Sequence, residues 1–356
     1  MQSILATRLG LKTPIIQAPM AGVSTPVLAA EVCKAGGMGA LGLGSVDAEG
    51  GRKAIRAARD LGANCLNANF FCHHPEQLEA DKAARWCAAL APEFARFEAT
   101  PPNELREIYL SFVADPERPA MLLQERPEVV SFHFGLPSAS VIAALKEAGI
   151  ALLASATNVA EAQACVSAGM DGIVVQGIEA GGHRGIFDPL APDEALPTLD
   201  LLARIKSRTD LPLIAAGGLM DGADCARALQ AGADMVQLGT AFVLCPETSA
   251  DEGYRAAMAT DAAKHTGFTS AISGRPARAL PNAFTTWGAD RQQDSPGYPH
   301  TYDAGKALHA AAKAKGDHSY GAHWAGSGAA RAQSLPAAEL MAQLIAQLAA
   351  EIRART

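Results

Sequence analysis

The strongest constraint in this sequence is a repeated unit: a short apolar run, a stretch with helical spacing, then a glycine. The apolar runs are PIIQAPM (14–20), MGALGLG (38–44), CLNANFF (65–71), VVSFHF (129–134), IALLAS (150–155), GIVVQ (172–176), LPLIAAGG (211–218) and DMVQLGT (234–240). Between them, helices are expected over 24–37, 47–61, 138–148, 158–168, 197–208 and 221–231. The first has Ser24 or Thr25 as a cap, Pro26 for its first turn and Gly36-Gly37 as its stop. Ala148-Gly149, Ala168-Gly169 and Ala231-Gly232 close three others. Short, nearly continuous apolar strands belong to a parallel sheet covered on both faces. Eight such βα units are what a TIM (β/α)8 barrel needs. An open doubly wound sheet is the rival, but no GxGxxG with a downstream acid follows the first strand, which disfavours its dinucleotide-binding form.

Two stretches break the alternation. Residues 72–120 carry Trp86, Phe94, Phe97, Tyr109 and Phe112 and are punctuated by Pro101-Pro102. Residues 245–330 mix helical segments with loops such as PNAFTTWGADRQQDSPGYPHTY. Both are expected to fold together over the barrel mouth as a smaller, mainly helical capping domain. The barrel is then built from 1–71, 121–244 and 331–356, with the amphipathic tail 336–352 as its closing helix.

Composition excludes several functions. The 356 residues carry 30 Lys and Arg against 37 Asp and Glu, a net charge of −7, which opposes a nucleic-acid partner. No apolar run reaches membrane-spanning length, and the N-terminus lacks the features of a signal peptide. Seven scattered cysteines without a CxxC fit reduced thiols in a cytoplasmic protein, monomeric or homodimeric. Cys72-His73-His74 is a poor metal site, because adjacent residues rarely converge on one ion and no second pair lies at zinc spacing. No metal is expected.

On a TIM barrel the loops after the strands converge on one face. Here they bring together Ala18 and Met20, Asn69, His133, Gln176 with Gly181, Gly182 and His183, Gly217 and Gly218, and Gln237 with Gly239 and Thr240. The glycines after the seventh and eighth strands stand where such barrels bind phosphate through backbone N–H groups. Few basic residues accompany them, so the phosphate would rely on those backbone donors. Gln176, Gln237 and Asn69 are amides that donate and accept at once, which suits the heteroatom edge of a flavin. One phosphate site and no dinucleotide fingerprint favour FMN over FAD. His183, on a Gly-rich loop in QGIEAGGHRG (176–185), is the candidate for chemistry. His133 either joins it or packs in the core. Tyr302 and Lys306 are one helical turn apart, with Tyr298 before them; these three and Tyr109 either close over an anionic substrate or form a solvated lysine face with aromatics beneath.

The motifs QAPMAGVSTP (17–26), LNANFF (66–71), VSFHFG (130–135), QGIEAGGHRG, AAGGLMDG (215–222), QLGTAF (237–242), SGRPAR (273–278) and YDAGKAL (302–308) resemble, in order and over nearly the whole chain, the class I nitronate monooxygenases, formerly 2-nitropropane dioxygenases. Val23 stands where many relatives carry a second glycine, while Met20–Gly22 is intact. The resemblance implies FMN at the strand ends and a histidine facing it, which falls on His183. It also implies oxidation of a nitronate by O2 to a carbonyl compound and nitrite, with propionate 3-nitronate as the physiological substrate class. A nitronate is already an anion, so His183 and His133 are expected to donate hydrogen bonds to its oxygens. His183 becomes a base only if neutral nitroalkanes are also substrates. An NADH:quinone reductase on the same FMN barrel is the alternative enzyme. An FMN-dependent enoyl reductase and a flavin storage module stand further off.

Overall fold

The computed structural model describes residues 4–354. A short helix, α1 (Ile4–Arg8), precedes strand β1 (Ile15–Gln17). There follow α2 (Pro26–Lys34), β2 (Gly39–Gly42), α3 (Ala48–Asp60), β3 (Leu66–Phe71), α4 (Ala80–Ala95), α5 (Glu117–Glu125), β4 (Val129–His133), α6 (Ala139–Glu147), β5 (Ala151–Ala156), α7 (Val159–Ser167) and β6 (Gly172–Gln176). A two-residue strand, β7 (Gly182–His183), comes before α8 (Thr198–Lys206), β8 (Leu213–Ala216), α9 (Gly222–Gln230) and β9 (Met235–Leu238). The chain ends with α10 (Glu252–Met258), β10 (Gly267–Thr269), β11 (Ala277–Ala279), α11 (Ala283–Trp287), α12 (His300–Ala314) and α13 (Ala337–Arg353).

Eight parallel strands form one sheet in the order β1-β9-β8-β6-β5-β4-β3-β2. Its ends meet: Ile16 bridges Met38, whose N–H donates to the Ile15 carbonyl at 3.1 Å and whose carbonyl accepts from Gln17 N–H at 3.0 Å. The sheet is therefore a barrel, and the edge-strand problem of an open sheet does not arise. The expected strands and helices are all present, with boundaries shifted by no more than three residues. Short polar caps start several of the helices that follow barrel strands. Thr25 accepts from Leu28 N–H at 3.1 Å, Asp47 from Gly50 N–H at 2.7 Å, Asn158 from Glu161 N–H at 2.9 Å and Asp221 from Asp224 N–H at 2.9 Å. Ser24, the other candidate cap, instead takes Met20 N–H at 2.9 Å and shapes the loop after β1.

Strand side chains alternate between two cores. Outward residues such as Ile15, Phe70, Phe132, Leu152 and Val236 pack under the helices, including Leu340, Met341 and Leu344 of α13. Inward residues Ile16, Val129, Leu153, Val174, Ile214 and Met235 fill the barrel, plugged below by Leu5 and Leu11. Toward the carboxyl ends the inward positions turn polar: Asn69, Ser131, His133, Ser155, Gln176 and Gln237. Apolar filling below and polar groups above fix which end faces a ligand.

The two stretches that interrupt the alternation share a core of their own. Trp86, Leu90, Phe94 and Phe97 of the first pack with Ile272, Phe284, Leu308 and Tyr320 of the second. A second sheet, β10-β11-β7, joins them to the barrel: Ala277 pairs with His183 and Arg278 with Gly182. The segment read from sequence as a free Gly-rich loop is thus an edge strand clamped by the capping region.

Candidate active site

A cavity of about 500 Å3 lies between the carboxyl ends of the barrel strands and the capping region. Every site residue expected from the sequence lines it except Tyr298. Tyr298 is buried behind the wall, its ring 5.7 Å from that of His183 and its hydroxyl without a partner. It packs with Phe71, Tyr109 and Phe134.

The floor is made of loops braced from strand to strand. The buried Gln17 accepts Ala40 N–H at 2.9 Å and donates to Ser24 Oγ at 2.9 Å, which holds the loop carrying Ala18 and Met20. Asn69 donates to Ser131 Oγ at 2.9 Å. Gln176 donates to the His183 carbonyl at 2.9 Å and accepts Gly185 N–H at 2.7 Å. Its amide holds the loop, so its reach toward a ligand is smaller than the sequence led us to expect. Arg184 turns away from the cavity: it donates to the Gln176 and Gly177 carbonyls at 2.9 and 3.1 Å and grips Asp193 through two contacts at 2.8 and 3.0 Å. Gln237 differs from the other amides. Its Oε1 is buried at the cavity without any partner among the described residues.

The glycines let neighbouring loops pack closely around the cavity. A Cβ at Gly181 would run into the backbone of Ala325 and Gly326. Gly217 has φ +125°, and a Cβ there would lie 2.8 Å from Thr198 Oγ1 and 3.0 Å from Ala180 N. Only glycine adopts that backbone without strain. With Gly218, Gly239 and Thr240 these form a cradle at the ends of β8 and β9, and Thr240 Oγ1 accepts Gly326 N–H at 3.0 Å. A flavin phosphate fits such a cradle, and the orphaned Gln237 Oε1 fits a ring N–H donor above it.

His183 stands between floor and roof. Nε2 lies 2.8 Å from Ser273 Oγ, and the ring lies 5.1 Å from Trp324. Burial pushes its imidazole down to about 3, helped by His133 and the cationic Arg275, so it is neutral at physiological pH. His133 Nδ1 meets Ser155 Oγ at 2.9 Å and Nε2 meets the His183 carbonyl at 3.2 Å. Burial lowers it to about 4. Both its nitrogens are engaged, so neither is free for a substrate oxygen as the sequence reading supposed. The strand pattern put Phe132 on the opposite face from His133, and it is there. Phe134 is not: it takes φ +71°, and its ring swings to 4.6 Å from His133 and 5.6 Å from His183. A left-handed phenylalanine is uncommon and carries strain of about 1–3 kcal/mol.

The roof is aromatic with two ammonium groups, Lys306 and Lys313, the second paired with Asp251 at 2.6 Å. Lys306 Nζ donates to Tyr109 OH at 2.8 Å and lies 5.8 Å from the Tyr302 ring centre. Trp324 Nε1 donates to Tyr302 OH at 3.3 Å. Among the described residues no carboxylate lies within 4 Å of the Lys306 ammonium. Burial raises Tyr109 to about 12 and Tyr302 higher still, so both phenols stay protonated. Trp324, Ser273, Ser155 and Phe134 were not singled out in the sequence. Each lacked a signal, since a lone serine or aromatic without spacing to a partner reads as ordinary. His73 of the Cys-His-His run is buried against Phe134 and Tyr298, at 6.4 and 4.9 Å.

Comparison with known proteins agrees with this geometry. Residues 2–350 match the family model for nitronate monooxygenase. A nitronate monooxygenase of Paraburkholderia phytofirmans is 60% identical over 341 residues, covering 96% of this chain and 93% of that protein. One of Pseudomonas aeruginosa is 50% identical over 341 residues, covering 96% and 97%. A solved nitroalkane oxidase of Streptomyces ansochromogenes superposes with a TM-score of 0.90 at 38% identity, covering 99% of this chain and 100% of that one. No described helix is long and apolar enough to cross a membrane. The chain belongs to the nitronate monooxygenase family, a family of flavin-dependent oxidoreductases.

Proposed function

We propose that this protein is an FMN-dependent monooxygenase that oxidises alkyl nitronates with O2 to carbonyl compounds and nitrite, and that it favours a nitronate bearing a distal carboxylate, such as propionate 3-nitronate. The carrying observation is the roof: the exposed ammonium of Lys306 lies at the cavity beside the Tyr109 and Tyr302 rings, without a carboxylate partner among the described residues, while His183 and His133 below are neutral. A cation so placed attracts a small anion, and its flexible stem and three donors suit a carboxylate at the end of a short chain. Residues 72–120 and 245–330, which supply this roof, act as one capping domain on a barrel of 1–71, 121–244 and 331–356. The share of both stretches in one hydrophobic core supports that division.

FMN would lie on Ala18, Met20, Asn69, Gly181, Gly182 and Gln237, with its phosphate at Gly217, Gly218, Gly239 and Thr240; Gln176 would brace the His183 loop beside it. The flavin supplies the redox chemistry between nitronate and oxygen when bound. The chain's own residues bind and orient. Lys306 holds the substrate's distal carboxylate, beside the Tyr109 and Tyr302 phenols. His183 and Trp324 confine the nitro end over the floor. His133 and Tyr298 shape the wall behind His183 instead of touching substrate.

One spectrum tests the reading. The purified protein should be yellow, and the ligand released by heat should have the mass of FMN. Anaerobic propionate 3-nitronate should reduce it and NADH should not. Reduction by NADH alone would move the assignment to a quinone reductase on the same barrel.

A further inference from the structure

Ser273 lies in the SGRPAR segment just before β11, and it is fully buried. Three groups crowd its Oγ. His183 Nε2 is at 2.8 Å, the Arg275 carbonyl oxygen at 3.2 Å and the Arg275 backbone N–H donates from 3.5 Å. A serine hydroxyl has one proton and two lone pairs. A carbonyl oxygen only accepts, so the contact with Arg275 takes the Ser273 proton. His183 Nε2 must then carry its own hydrogen and donate it to Ser273 Oγ. That arrangement satisfies all three contacts at once. The reverse one, with Ser273 donating to a bare Nε2, gives up the bond to the Arg275 carbonyl in a buried segment and leaves that acceptor unsatisfied.

His133 follows the same logic independently. Its Nε2 faces the His183 carbonyl at 3.2 Å and must therefore be the donor, while Nδ1 accepts from Ser155 Oγ at 2.9 Å. The two histidines thus share one tautomer, each with a serine as partner. His183 Nδ1 is bound to nothing among the described residues, and it is not among the sealed, partnerless atoms; it opens on the cavity that the ring lines. The ring is wedged between Trp324 at 5.1 Å and Phe134 at 5.6 Å, which holds this edge in place.

We propose that Ser273 is a positioning residue that locks His183 in the Nε2–H tautomer and presents an unprotonated Nδ1 to the cavity. A lone pair there accepts and does not donate. It turns the negative oxygens of the nitro end away from the Nδ1 edge of His183, so His183 selects an orientation by exclusion. This reverses the donor role that the sequence suggested for His183. The consequence for substrate rests on the nitronate reading of the cavity; the tautomer does not.

The test is a long-range 1H–15N correlation spectrum of the protein carrying 15N-histidine, with the His183 signals identified by their loss in His183→Asn. The expected spectrum has the hydrogen of His183 on Nε2 in the native chain and spread over both nitrogens in Ser273→Ala. In the same variant kcat/KM for propionate 3-nitronate should fall roughly tenfold, as for one lost hydrogen bond of about 1.4 kcal/mol. A hydrogen on Nδ1 in the native chain overturns the proposal, as does an unchanged tautomer in folded Ser273→Ala. If Ser273→Ala does not fold, the native spectrum alone decides. A correct tautomer in a protein that ignores nitronates would sink the proposed function and leave the role of Ser273 standing.

Discussion

The floor and the roof of the cavity are built by different means. On the floor nearly every polar side chain is spent on a neighbouring strand or loop: Gln17 on Ala40, Asn69 on Ser131, Gln176 on His183 and Gly185. On the roof the directional contacts are few, Lys306 to Tyr109 and Trp324 to Tyr302, and the rest is ring packing. Hydrogen bonds fix position within tenths of an ångström, whereas aromatic faces tolerate shifts. The floor is preorganised for one bulky, rigid ligand. The roof discriminates among small ones by charge and shape. Changes to the floor should therefore cost geometry, and changes to the roof should cost selectivity.

Acid should break the seam between the two first. His73 is wedged between Phe134 and Tyr298, and His323 stacks on Tyr254 at 5.0 Å; all four of their ring nitrogens are buried without partners. Burial lowers His73 to about 3 and His323 to about 4. Unfolded, each titrates near ~6.5, so the unfolded chain binds protons that the folded chain refuses. The contribution is fully present above that value and is lost as pH falls toward the folded values. At pH 5 each histidine should cost about 2 kcal/mol. His323→Gln should therefore narrow the difference in unfolding free energy between pH 7 and pH 5 by about 2 kcal/mol, read by denaturant unfolding at the two pH values. A flat profile would mean that water reaches these rings and the seam is loose.

On the boundary of floor and roof, His183→Ala should leave flavin content intact and lower kcat/KM for nitronates by about 10²-fold, the usual penalty for a substrate displaced by about 1 Å. Loss of flavin along with turnover would show that His183 belongs to the floor. On the roof, Lys306→Met should raise KM for propionate 3-nitronate roughly tenfold, since a charge-assisted hydrogen bond contributes about 1.5–3 kcal/mol. KM for propyl-2-nitronate, which has no distal carboxylate, should change far less. Equal losses on both substrates would remove Lys306 from the carboxylate site.

The same division decides what was legible in the sequence. The barrel was, because strand residues such as Val129, Val130 and Phe132 are apolar by a rule of local period, and caps such as Asp47 and Asn158 act three residues away. The strand-end glycines were, because their use depends on the backbone alone. Tyr302 and Lys306 were, because helical spacing puts them together. What stayed hidden depends on pairings across long stretches of chain. His183 was visible as a residue, but its pairing with Ala277 and its contact with Ser273 span 90 residues and more. His133 could not be assigned because its partners, Ser155 and the His183 carbonyl, come from two other strands. Phe134 escaped because period-two alternation fails where a strand ends in a left-handed residue.

The mildest change separates scaffold from contact. Ser155 touches His133 and lies on the floor, two residues along β5 from the buried Leu153. Ser155→Ala removes one hydroxyl and leaves His133 Nδ1 without its donor, a loss of about 1 kcal/mol in stability. The His183 carbonyl still has Gln176 at 2.9 Å and His133 Nε2 at 3.2 Å, and the His183 ring still has Ser273 at 2.8 Å. Three restraints outlast the one removed, so the reacting geometry should hold. The expected outcome is a small drop in thermal midpoint with nitronate kcat/KM lowered by less than about threefold, under 0.7 kcal/mol or so. A loss approaching that of His183→Ala would put His133 in contact with substrate and make the floor a participant. Measured beside Ser273→Ala, the pair compares two serines on two histidines of the same tautomer: Ser155, which donates to a ring that supports, and Ser273, which accepts from the ring that faces the cavity.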